Sequence, residues 1–142
     1  MEIREVPYGS EDYQKTVRLR EKVLREPLGT KFKPGYLEQD KEDWHIAAFD
    51  NGQVLGTVLI KPLDRQTVKI RQVAVDTMLQ GQGIGRKLME YAEAFARGKG
   101  FKKAVLHARF YVVAFYKKLG YKVTSGPFDE IGMQHFRMEK DL

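Results

Sequence analysis

The feature that most constrains this chain is the heptapeptide Gln80-Gly81-Gln82-Gly83-Ile84-Gly85-Arg86. The apolar run Val73-Ala74-Val75 precedes it, and a helical pattern beginning near Ile84 follows. A glycine-rich turn between a strand and a helix leaves backbone N–H groups facing outward. The first turn of a helix has no internal acceptors for its donors, and the helix dipole makes that end positive. Such an end holds phosphate without any charged side chain. Arg86 adds a formal positive charge beside it.

Spacing tests two phosphate loops. A dinucleotide fingerprint needs G-x-G-x-x-G and an acid about 20 residues later. Here the glycines run G-x-G-x-G, and Lys102 and Lys103 stand where the acid belongs. A Walker loop needs G-x-x-x-x-G-K and then Ser or Thr; Arg86-Lys87-Leu88 fails that test. What remains is Gln-x-x-Gly-x-Gly. The bland alternative is an ordinary strand–helix connection that contains three glycines.

With 42% hydrophobic and 31% charged residues, residues 1–142 read as one soluble globular domain. No apolar run approaches the ~20 residues of a membrane span. Met-Glu-Ile-Arg-Glu does not read as a signal peptide, so the expected location is cytoplasmic. The lack of cysteine excludes disulfides, thiolate metal sites and a cysteine nucleophile. The net charge of +6 favours acidic ligands, but the basic residues are spread along the chain. A solvated basic surface that attracts a phosphorylated cofactor fits this better than nucleic-acid binding.

The periodicity predicts strands over Ile3–Val6, His45–Phe49, Gln53–Lys61, Thr67–Val75, Phe101–His107, Tyr121–Thr124 and Gln134–Met138. Helices are predicted from Ser10 as N-cap to Arg25, from Ile84 to Gly98, and over Phe110–Leu119. The second should turn Ile84, Leu88, Tyr91, Ala92 and Phe95 inward. Residues 27–43 read as an irregular loop, and Ser125-Gly126-Pro127 and Asp129-Glu130-Ile131-Gly132 as turns. The acids Glu38, Asp40, Glu42 and Asp43 either favour a cationic acceptor or belong to a solvated loop. In Thr67–Val75 the apolar positions change parity near Arg71-Gln72. Either a β-bulge shifts the inward set, or the strand end is buried on both faces.

Strand, helix and strand from Thr67 to His107 imply a parallel pair. If those two strands splay, an extended amide-containing chain can pair between them as a surrogate strand. Backbone N–H groups near Val73, Ala74 and Val75 could then stabilise an oxyanion. Tyr116 is a candidate proton donor to a thiolate leaving group, its ordinary pKa being about 10. Read alone, it fits a half-buried packing residue better than a proton donor. His135, Glu130 and Asp129 are candidate bases, and His135 alone also reads as a strand histidine satisfied by its neighbours. His45 and His107 are read as structural. The three histidines lack metal-ligand spacing, so no metal is expected.

Two segments together carry a family likeness. Gln80–Gly85 resembles the acetyl-CoA pyrophosphate loop of the GCN5-related N-acetyltransferases (GNAT). Phe115-Tyr116, followed by Leu119-Gly120-Tyr121, resembles the "FY…LGF" block of the same family. The resemblance implies a mixed α/β, mostly antiparallel sheet with a splayed central parallel pair, flanked by helices. It implies acetyl-CoA bound by Val73–Val75, Gln80–Arg86 and Tyr116, with Tyr116 as general acid. Arg109 stands where the family often has Asn, so it contacts the cofactor differently, for instance at a phosphate. The acceptor implied is a small-molecule or peptide amine that attacks the thioester directly, and homodimers are common in the family. Asp129-Glu130-x-Gly132-Met133-x-His135 is similar to the "E-x-G-x-x-H" segment of the ElaA-like branch. Two rival readings remain: a non-catalytic acyl-CoA sensor and a basic nucleic-acid-binding module.

Overall fold

The computed structural model describes residues 1–142. Eight strands form one sheet: β1 (Glu2–Val6), β2 (Trp44–Asp50), β3 (Gln53–Pro62), β4 (Thr67–Val75), β5 (Lys103–Arg109), β6 (Lys122–Val123), β7 (Phe128–Glu130) and β8 (Met133–Asp141). The helices are α1 (Glu11–Leu24), α2 (Ile84–Gly98) and α3 (Val113–Lys118). Strand order is β1-β2-β3-β4-β5-β8-β6, with β7 also pairing β8. Only β4 and β5 run parallel; every other pair is antiparallel. This is the expected fold class. No helix is long and apolar enough to cross a membrane.

Local chemistry sets the elements. The Ser10 hydroxyl accepts from the Tyr13 N–H at 3.1 Å and caps α1. Asn51 and Gly52, at φ 49° and 78°, close the β2–β3 hairpin. On α2 the buried apolar residues are Ile84, Leu88, Met89, Ala92 and Ala96. They pack on Ile46, Val58, Ile60, Val68, Ile70 and Leu106 from one face of the sheet. Tyr91 does not join them, contrary to the expectation, and is exposed. At 100° per residue the buried stripe is centred near Ala92 and Ala96, and Tyr91 lies beyond its edge. On the opposite face α1 packs Tyr13 against Val6, Ala47 and Phe49.

Of the two readings of the parity change, the structure has the bulge, and the parallel strands also part. Thr57 pairs Ala74, but Leu59 pairs Arg71, so β4 carries one extra residue there. Gln72 sits in that stretch at φ 53°. This is the β-bulge, and it is what changes the parity of the inward set. The parallel pairing starts at Thr67 with Lys103 and stops at Ile70 with Leu106. Beyond that point β4 continues to Val75 and β5 to Arg109 without pairing each other.

Other boundaries need correction. β5 starts at Lys103 rather than Phe101, whose ring packs edge-on to Trp44 at 5.9 Å. The segment expected as one helix from Phe110 is a 3-10 turn over Phe110–Val112 followed by a short α3. β6 is shorter than expected. Asp129 and Glu130 were expected in a turn, yet Phe128–Glu130 pairs with β8. Only Ile131 and Gly132, at φ 51° and 73°, make the hairpin turn there. Tyr36–Glu42, inside the expected irregular loop, is a 3-10 helix.

Candidate active site

The loop between β4 and α2 is built by its glycines. Gly81 and Gly83 have φ of 84° and 86°, a region costly for residues with a Cβ. Gly83 is the N-cap of α2, and no side chain caps that end. The first-turn N–H groups therefore have no side-chain acceptor in the chain. A Cβ on Gly85 would meet Phe115 at 3.4 Å and Val75 at 3.6 Å, ordinary contact distances, so this glycine lies against both side chains. The Ile84 side chain goes to the core, leaving only its main chain to the loop. Gln80 reaches back: its side-chain amide donates to the Val75 carbonyl at 3.1 Å. Arg86 pairs with Glu90 at 2.9 Å on the exposed side of α2. Gln82 is exposed. Val73 and Val75 are half-buried, and Ala74 is buried.

Tyr116 is buried on α3, its ring edge-on to Phe115 and Tyr121. Its hydroxyl makes no hydrogen bond within the chain. Burial pushes the phenol well above its ordinary range, and the positive charge of Arg109 opposes this. The group therefore stays protonated near neutral pH. The Arg109 guanidinium donates to the Leu24 carbonyl at 2.9 Å, at the end of α1, and to the Tyr111 hydroxyl at 3.2 Å.

The bulge is held from the α1 side by a buried polar network that sequence reasoning missed. Arg20 and Asp40, both fully buried, pair at 2.6 Å. Asp40 also accepts from the Tyr13 hydroxyl at 2.7 Å. Arg71 pairs with Asp43 and lies 3.8 Å from Asp40. Arg20 donates to Gln72 at 3.2 Å, and Gln72 donates to the Tyr36 hydroxyl at 3.1 Å. Tyr36 in turn stacks on Phe32 at 5.2 Å. Asp40 and Asp43 are thus consumed by arginines inside the molecule, while Glu38 and Glu42 are not buried. The one available signal was Arg20, which fell on the inward face of α1 and required a buried acid.

The remaining predicted residues meet where β5, β7 and β8 adjoin. His135 on β8 lies opposite Arg109 on β5. Its Nδ1 is 2.9 Å from the Met133 carbonyl, and its Nε2 is 3.5 Å from Glu130. The other Glu130 oxygen is 3.2 Å from His107 Nδ1. Asp129, the rival acid, points from an exposed position on β7. His45 is buried with Nε2 2.8 Å from the Asp40 carbonyl, and burial pushes its pKa down. No group of three or more His, Cys, Asp or Glu side chains is placed to hold a metal ion.

Comparison with known proteins places this geometry. The model of the acetyltransferase (GNAT) family matches residues 9–121. The chain belongs to that family. "Probable N-acetyltransferase 14" of Xenopus tropicalis is 32% identical over 85 residues, covering 57% of this chain. The chain spans 41% of that relative's length. Among solved structures, a putative N-acetyltransferase from Lactobacillus plantarum superposes with a TM-score of 0.88 at 24% identity, covering 99% of this chain and 97% of that one. A GNAT family acetyltransferase from Elizabethkingia anophelis with acetyl-CoA bound gives 0.77 at 21%, over 99% and 97%. Escherichia coli ElaA gives 0.80 at 21%, over 98% of each chain. At such identities the likeness establishes the shared GNAT fold.

Proposed function

We propose that this protein moves an acetyl group from acetyl-CoA to a primary amine by direct attack in a ternary complex. The observation that carries this reading is the wedge between β4 and β5 beyond Ile70 and Leu106, with the uncapped α2 N-terminus following β4. An extended pantetheine chain fits such a wedge by pairing with strand edges. Its pyrophosphate meets the N–H groups of Gln80 to Arg86, where the helix end is positive. The acetyl-CoA reported for the Elizabethkingia protein supports the same co-substrate here.

The chemistry then divides among this chain's residues. The amine nitrogen attacks the thioester carbon, and backbone N–H groups at Val73–Val75 stabilise the oxyanion. The carbon–sulfur bond breaks, and the sulfur takes a proton from Tyr116, whose buried setting keeps the phenol neutral and protonated until then. The amine loses its proton into the carboxylate–imidazole cluster around Glu130, which His107 and His135 flank. His135 is only 3% exposed, so it acts behind Glu130.

Tyr116→Phe tests the assignment. Acetyl-CoA affinity should be kept while kcat falls by about 10²–10⁴, the usual worth of a positioned acid. The readout is CoA thiol release across a panel of amines. Unchanged kcat would remove Tyr116 from the acid role. Acetyl-CoA binding without release for any amine would favour the non-catalytic sensor.

A further inference from the structure

We infer that His107 is the group that takes the proton from the acceptor amine, with Glu130 and His135 as positioning residues behind it. The inference rests on the acetyl-transfer reading and specifies its first proton acceptor. It starts from hydrogen-bond accounting. The Met133 carbonyl can only accept, so His135 carries a hydrogen on Nδ1. Its Nε2 then carries no hydrogen in the neutral ring and stands 3.5 Å from one oxygen of Glu130 without a hydrogen bond, and its side chain is 4% exposed. Substrate cannot reach it.

His107 is placed differently. Its Nδ1 lies 3.2 Å from the other Glu130 oxygen, and its side chain is 28% exposed. A carboxylate accepts, so the hydrogen of the neutral ring sits on Nδ1 and Nε2 holds a bare lone pair. A carboxylate that fixes one imidazole nitrogen and frees the other is the arrangement of a general base. Phe128 packs edge-on to the ring at 5.0 Å and holds its plane. His107 follows Leu106, the last residue of β5 that pairs with β4, so it stands where the wedge opens.

The charged groups around it are accounted for. Arg137, opposite on β8, donates to Glu139 at 3.1 Å. Arg109, two residues along β5, is held by Leu24 and Tyr111. Arg71 on β4 is paired with Asp43. Lys69 on β4 is half-buried beside the Glu130 charge, and burial pushes its pKa down. Glu130 and His135 complete the set.

The test is His107→Gln, followed by CoA release with whichever amine of the panel the wild type acetylates, from pH 6 to about pH 10. At neutral pH kcat/KM for the amine should fall about 10²-fold or more. The deficit should shrink as pH approaches the amine's own pKa, about 10 for a lysine-like amine. There the nucleophile arrives already neutral, and the proton left on the tetrahedral nitrogen is acidic enough to pass to water. A fold defect would not vanish with pH. Glu130→Gln keeps an acceptor for Nδ1 but removes the charge, and should show a smaller loss of the same pH shape. Acetyl-CoA affinity, measured by calorimetry, should be unchanged in both variants. Wild-type rates for His107→Gln at neutral pH, or a deficit constant across pH, would overturn the assignment while leaving acetyl transfer intact. No CoA release by the wild type with any amine would instead overturn acetyl transfer, and this inference with it.

Discussion

Replacing Arg20 by Met tests whether the buried network holds the bulge. Arg20 and Asp40 are fully buried and pair at 2.6 Å. Two charges removed from water are tolerated only because they satisfy each other. Met fills a similar volume but leaves the Asp40 carboxylate with less compensation. Breaking such a pair costs about 3–5 kcal/mol. For a chain of this size each kcal/mol moves Tm by about 2–4 °C, so the fall should be roughly 6–20 °C. The low end is favoured, because Asp40 keeps the Tyr13 hydroxyl at 2.7 Å and the Arg71 charge at 3.8 Å. The assay is thermal unfolding beside urea titration at pH 7. Arg20→Met combined with Asp40→Leu should cost less than the two single changes summed, since no orphaned charge remains. Arg20 also donates to Gln72, so kcat should fall as the bulge loses a support. A single variant within about 1 kcal/mol of wild type would refute the reasoning, as would strict additivity of the pair.

Two further outcomes follow from packing and burial. Gly56→Val should destabilise by about 1–3 kcal/mol or more in urea titration, because even a Cβ there lies 2.7 Å from Leu88 and 3.0 Å from the Ala74 carbonyl. A neutral result would mean that α2 is free to shift off β3. Burial holds the His45 pKa below its ordinary value, so the unfolded chain takes up that proton more readily. This contribution to stability is present above about pH 6.5 and is lost as pH falls toward the lower folded value. His45→Gln should therefore flatten the decline of the urea midpoint between about pH 7 and 5; an unchanged slope would exclude His45 as a source.

Much of this was legible because it is local. The φ > 0 positions Gly81 and Gly83, the Ser10 cap and the Asn51-Gly52 turn are each dictated by a few adjacent residues. The bulge showed as a change of parity within one strand. What stayed hidden depends on distant pairings. Asp40 and Asp43 look solvated until Arg20 and Arg71 are brought beside them. β7 is three residues long and exists only because β8 offers it an edge, so no periodicity announces it. Glu130 and His135 could be singled out by their chemistry and by resemblance to the ElaA-like segment, but His107 joins them only through the β5–β8 register.

The central claim is that backbone donors at the start of α2 hold the diphosphate of a coenzyme whose thiol arm lies between β4 and β5. Titration calorimetry of the purified protein with acetyl-CoA, and separately with dephospho-CoA and pantetheine, tests it most directly. The account predicts saturable binding of acetyl-CoA and dephospho-CoA, both of which carry the pyrophosphate, and a large loss with pantetheine, which does not. No heat with acetyl-CoA, or equal affinity for pantetheine, would contradict it.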